Sequence, residues 1–108
     1  MRILIVGAGA TGGYFGARLA QAGRDVTFLV RERRFRQLSE NGLVLRTPQG
    51  VEKLQPQLAQ AGSLRGPYDL IILTVKSFAL AQAIEDIAPA VGEQTLIMPI
   101  LNGMRHFD

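Results

Sequence analysis

Residues 2–31 read RILIVGAGATGGYFGARLAQAGRDVTFLVR. The first five, RILIV, are a short apolar run rich in branched side chains that stops at a glycine. That is the pattern of a parallel strand buried on both faces. Residues 11–22 carry helical spacing, with Phe15, Leu19 and Ala22 on one side, and Gly23 supplies a helix stop. Residues 25–30, DVTFLV, read as a second strand. Between the first strand and the helix lies Gly7-Ala8-Gly9-Ala10-Thr11-Gly12, a match to G-x-G-x-x-G. Alone the match is weak, because Gly and Ala are common. Its place directly after a strand and at the opening of a helix makes it strong.

Each glycine of the motif has a physical task. Gly7 permits the tight turn off the strand, Gly9 has no side chain to hold the backbone away from a pyrophosphate, and Gly12 lets the helix pack close to the first strand. Free N–H groups in the first helical turn, at Ala10, Thr11 and Gly12, then face a diphosphate with the helix dipole behind them. Gly13 and Gly16 continue the series. Each costs about 1 kcal/mol of helix stability relative to Ala, so the helix needs close backbone approach along its length. No G-K-[ST] follows, which sets aside a nucleoside triphosphatase P-loop.

Downstream, residues 32–40 place Phe35 and Leu38 three apart as one helical face, closed by Asn41-Gly42. Residues 43–46 and 51–54 flank Thr47-Pro48-Gln49-Gly50, which has hairpin turn chemistry. Residues 58–67 read as loop or a short helix. Residues 69–75 (DLIILTV) form the clearest buried strand, 78–88 a helix that Pro89 helps to end, and 95–100 a last strand followed by Asn102-Gly103. This alternation predicts an α/β fold of the Rossmann type, doubly wound, with a mostly parallel sheet and helices on both faces. Such a domain has two mononucleotide halves and about six strands. The expectation is therefore an incomplete N-terminal dinucleotide-binding domain spanning residues 1–108, the first part of a longer protein.

Charge distinguishes between dinucleotides. In NAD-specific folds an acidic residue at the end of the second strand binds the ribose 2′-OH. Here the second strand runs into Arg31, which can pair with a 2′-phosphate where an acid would repel it. Four arginines, Arg31, Arg33, Arg34 and Arg36, fall within six residues. One helical turn cannot aim all four at one phosphate, so at least two are expected on a solvated face. Glu32 adjoins Arg31 and is the alternative partner for a ribose hydroxyl, which leaves NAD(H) open beside NADP(H). The chain's net charge of +3 is concentrated in this cluster. That suits a local anionic group better than a nucleic-acid track, and no nucleic-acid partner is expected. No apolar run nears the roughly 20 residues of a membrane helix, so no membrane partner is expected. There is no Cys and a single His, which leaves no thiolate site and no multi-histidine metal centre. A reducing, cytoplasmic setting is expected, and a homodimer is compatible with the reading without being required by it.

The glycine loop and its flanks (residues 7–31), LTVKS at residues 73–77 and LNGM at residues 101–104 together resemble the N-terminal domain of ketopantoate reductase, or 2-dehydropantoate 2-reductase. The resemblance runs along essentially the whole chain and covers only the cofactor half of that family's protein. It implies NADPH-dependent reduction of a 2-keto acid, ketopantoate to pantoate, in pantothenate and coenzyme A synthesis. It further implies that Arg31 meets the 2′-phosphate and that Lys76 lies beside the cofactor. Asn102 would sit near the nicotinamide end and the substrate. The general-acid Lys of the family lies in a helical C-terminal domain that this chain lacks, so the chain is expected to hold no catalytic residue and to bind NADP(H) without turnover. Leu101 departs from the Gln or His that many members carry before Asn-Gly. Two other readings stay open: another NAD(P)-dependent dehydrogenase of similar architecture, and a non-catalytic dinucleotide sensor.

Overall fold

The structure is a computed structural model that describes the backbone of residues 1–7, 10–74 and 80–100, and the side chains of 1–7, 16–44, 48–74 and 80–100. In chain order the elements are β1 (Arg2–Val6), α1 (Ala10–Gln21), β2 (Asp25–Leu29), α2 (Glu32–Asn41), β3 (Leu43–Thr47), β4 (Gly50–Leu54), β5 (Gln57–Ala59), β6 (Leu70–Leu73), α3 (Leu80–Ile87) and β7 (Leu96–Pro99). Short 3-10 turns occupy Ala61–Ser63 and Ala88–Ala90. Five strands form one parallel sheet in the order β5-β2-β1-β6-β7, while β3 and β4 pair as a separate antiparallel hairpin. The expected α/β Rossmann-type fold is present.

The sheet separates two cores, and the alternation of β1 assigns them. Ile3 and Ile5 point into one, which holds Val26 and Phe28 of β2, Ala17 of α1 and Leu38 of α2. Leu4 and Val6 point into the other, with Ile71 and Leu73 of β6 and Ala83 and Ile87 of α3. Helices α1 and α2 thus cover one face and α3 the other. Leu4, Ile5 and Ile71 are wholly excluded from solvent. Burial of each such side chain contributes about 1.5–3 kcal/mol, which is why the continuous apolar runs of β1 and β6 become central strands.

Helix ends follow the glycines. Gly23 (φ +86°), two residues past α1, and Gly42 (φ +76°), directly after α2, take the left-handed region that side chains avoid. The hairpin forms at the expected residues, with Pro48 and Gln49 as its turn. One element differs from expectation. Residues 57–59 are not loop but β5, an edge strand that registers Thr27 on Gln57 and Leu29 on Ala59. A three-residue strand directly after Pro56 carries no local alternation, and only its pairing to β2 defines it. Ala61–Ser63, by contrast, is the short helix that the region was expected to allow. At the other edge, β7 leaves Leu96, Ile97 and Met98 exposed.

Candidate functional site

From β1 the chain moves outward to β2 and β5, then returns to β6 and moves the other way to β7. The reversal lies between β1 and β6, and ligands of open α/β sheets bind outside the carboxyl ends of the strands at such a point. The hydrogen bonds there are specific. Gly7 turns at φ +98°, and its N–H donates to the Leu29 carbonyl at 3.0 Å. Thr74, just past β6, donates to the Val6 carbonyl both from its N–H at 3.2 Å and from its Oγ1 at 2.8 Å. The last carbonyl of β1 is thus doubly engaged, which ties the exit of β1 to that of β6.

Helix α1 opens at Ala10, so Ala10, Thr11 and Gly12 make its first turn, and no acidic residue stands in that turn. The first amides of a helix have no partner within it, and without a local carboxylate they are left to an external anion. Gly9 lies outside the described residues. The close packing expected of the glycine series is seen at Gly16. A Cβ there would run into Phe28 Cζ and Cε1 and come within 3.3 Å of Ile5 Cγ1. Helix α1 therefore lies directly on β1 and β2, and its first turn is carried over their carboxyl ends.

A cleft of about 600 Å³ opens on the same edge. Val6, Gly7, Leu29 and Val30 form its floor. Arg31, Glu32 and Arg34 line it from the α2 side, and Ala83 and Asp86 from α3. Residues 60–62 complete the wall beyond β5. The N–H of Val30 donates to the Ala59 carbonyl at 3.0 Å, so strand pairing extends one residue past β2 and Arg31 is the first residue beyond it. Arg31 is the N-cap of α2 in extended conformation. Among the described residues its guanidinium makes no hydrogen bond or ion pair.

The arginine cluster divides as one helical turn requires. Arg31 and Arg34 line the cleft. Arg33 and Arg36 are exposed and outside its lining. Arg36 holds Glu32 Oε1 at 2.8 Å one turn back, and Arg34 Nη1 donates to Gln37 Oε1 at 2.8 Å. Glu32, the other candidate for a ribose hydroxyl, thus reaches the cleft with one carboxylate oxygen already engaged. Lys76 and Asn102 lie outside the described residues. Sequence reasoning missed Gln60 and Asp86. Gln60 enters through the unpredicted strand β5, and Asp86 carries no motif. Among the described residues, no cluster of His, Cys, Asp and Glu could hold a metal ion, and no helix is long and apolar enough to cross a membrane.

The family described as "Ketopantoate reductase PanE/ApbA" matches residues 3–108. The chain belongs to the ketopantoate reductase family. The chain is 45% identical over 108 residues to the Bacillus subtilis (strain 168) protein "Uncharacterized oxidoreductase YkpB", covering all of this chain and 35% of that protein. It is 38% identical over 106 residues to a 2-dehydropantoate 2-reductase of Mesorhizobium japonicum, covering 96% of this chain and 32% of that one. It superposes with a TM-score of 0.87 at 28% identity on D-mandelate dehydrogenase in a ternary structure with NADH and anilino(oxo)acetate, over 94% of this chain and 34% of that one. The chain thus spans about a third of the length of the relatives it matches.

Proposed function

We propose that this chain is the NADP(H)-binding part of an NADPH-dependent 2-keto acid reductase that converts ketopantoate to pantoate. The observation that carries the proposal is Arg31, unpaired at the rim of the cleft one residue beyond β2, where an NAD-specific fold would place an acid. The residues fit the cofactor. Gly7 turns away at positive φ and leaves the floor bare. The first-turn amides of Ala10, Thr11 and Gly12 are available to a diphosphate. Arg31, with Arg34 beside it, supplies charge for a 2′-phosphate.

Bound NADPH would supply the hydride for the ketone carbon, and the work of this chain is to hold and align it. By the family resemblance we assign Lys76 to the cofactor and Asn102 to the nicotinamide end and the substrate. The general acid is assigned to polypeptide beyond this chain, within the two thirds of the relatives' length that it does not span.

Arg31→Ala tests the proposal by titrating both reduced cofactors into the full-length protein and following nicotinamide fluorescence. Loss of a charge-assisted contact of about 1.5–3 kcal/mol weakens NADPH binding by roughly 10- to 150-fold, while NADH binding changes little. Equal losses for the two cofactors would refute the assignment. A second reading has its own support. Glu32 lines the same cleft, and the D-mandelate dehydrogenase neighbour was solved with NADH. On that reading the protein is an NADH-dependent dehydrogenase for a different 2-keto acid, and the wild-type titration alone separates the two.

A further inference from the structure

A cleft built for a polyanion has no obvious use for an additional carboxylate, yet Asp86 lines it. Asp86 is half-buried on α3, one turn after Ala83, which faces the same cleft. Its Oδ1 accepts from Gln82 Nε2 at 3.0 Å. Among the described residues its carboxylate makes no other hydrogen bond and no ion pair. One carboxylate oxygen is therefore left without a donor. A charge in that situation is tolerated where the ligand presents N–H or O–H groups and opposed where it presents phosphate.

The fold decides which part of the ligand that is. Arg31 enters with α2, whose Leu38 packs in the core of one sheet face. Asp86 enters with α3, whose Ala83 and Ile87 pack in the core of the other. The two side chains reach the cleft from opposite sides of the sheet edge. Val30 and Ala61, which also line it, offer apolar surface suited to the faces of an aromatic ring. In an adenosine 2′-phosphate the phosphate and the 6-amino group stand at opposite ends, with the ring between them.

We propose that Asp86 accepts a hydrogen bond from the 6-amino group of the adenine ring and makes the cleft selective for adenine over 6-oxopurines. The inference rests on the dinucleotide reading above and goes beyond it, since the glycine loop and Arg31 address only the phosphates. A 6-oxo group turns an acceptor toward Asp86, so hypoxanthine meets an unpaired carboxylate instead of satisfying it. Sites built to pair a polar group discriminate strongly against ligands that leave it unpaired.

The test compares NADPH with its hypoxanthine analogue, deamino-NADPH, by equilibrium fluorescence titration of the full-length protein. The wild type binds NADPH at least about tenfold more tightly. Asp86→Ala brings the two to within about twofold of one another. Asp86→Asn, whose amide can accept from an amino group or donate to an oxo group, narrows the gap by improving the analogue's binding. Wild-type affinities that are equal, or a preference that survives in Asp86→Ala, would overturn the proposal while leaving the dinucleotide site intact. Failure of the wild type to bind NADPH at all would instead overturn the dinucleotide reading itself.

Discussion

Substitution of Gly16 by alanine should destabilise this protein, although the same change in an exposed helix stabilises by about 1 kcal/mol. Gly16 is buried in α1. A methyl group there would collide with Phe28 Cζ and Cε1 and stand 3.3 Å from Ile5 Cγ1. Neither neighbour can yield easily, since Phe28 is 2% exposed and Ile5 wholly buried in the same core. Inserting a methyl into a packed core costs about 1–3 kcal/mol. Because the collision is with a buried ring, the cost lies in the upper half of that range, about 2–3 kcal/mol, and set against the helix gain the net loss is about 1–2 kcal/mol. In a domain of about 100 residues each kcal/mol moves Tm by about 4–8 °C, so thermal unfolding followed by circular dichroism should show a fall of roughly 4–16 °C. Phe28→Leu removes the end of the ring and is itself destabilising by cavity formation. Combined with Gly16→Ala it should recover about 1 kcal/mol relative to the sum of the single changes, because the new methyl fills the space. Dinucleotide affinity should fall with Gly16→Ala as well, since lifting α1 off the sheet displaces the amides of its first turn. A variant as stable as the wild type, or strictly additive double-mutant energies, would show that close approach of α1 is not what the glycine provides.

Gly42→Ala should cost more than about 1 kcal/mol in urea unfolding, because φ is +76° there and a Cβ would stand 2.8 Å from the Leu54 carbonyl oxygen. Thr74→Val should cost about 1 kcal/mol through loss of the 2.8 Å Oγ1 hydrogen bond to Val6. Because that bond ties the exits of β1 and β6 together, NADPH affinity in Thr74→Val should drop alongside stability, whereas Gly42→Ala, at the far end of α2, should leave affinity unchanged.

The two ends of the molecule were unequally legible. Strands β1 and β6 could be read because burial on both sheet faces demands near-continuous apolar runs, and β2 because Val26, Phe28 and Leu29 are branched or aromatic residues suited to a buried strand. The ends of α1 and α2 could be read because only glycine takes the positive φ that follows each helix. Arg31 could be placed because a strand that ends at a known distance from a glycine loop puts the next residue over the cleft. Strand β5 could not be read, since three residues after a proline hold no periodic signal and its partner Thr27–Leu29 lies some 30 positions away in the chain. With β5 went Gln60 and the far wall of the cleft.

By itself, then, the amino-acid order determined everything governed by local rules: which segments bury themselves, where the backbone needs glycine, and where positive charge gathers. Tertiary structure alone decided which of the four clustered arginines face the cleft, because that depends on how α2 is rotated against the sheet when Phe35 and Leu38 find the core. It alone brought Asp86 to the same cleft as Arg31, because the helices that carry them pack on opposite faces of one sheet and meet only at its edge. Such meetings are set by the summed packing of distant residues, and no window of sequence contains them.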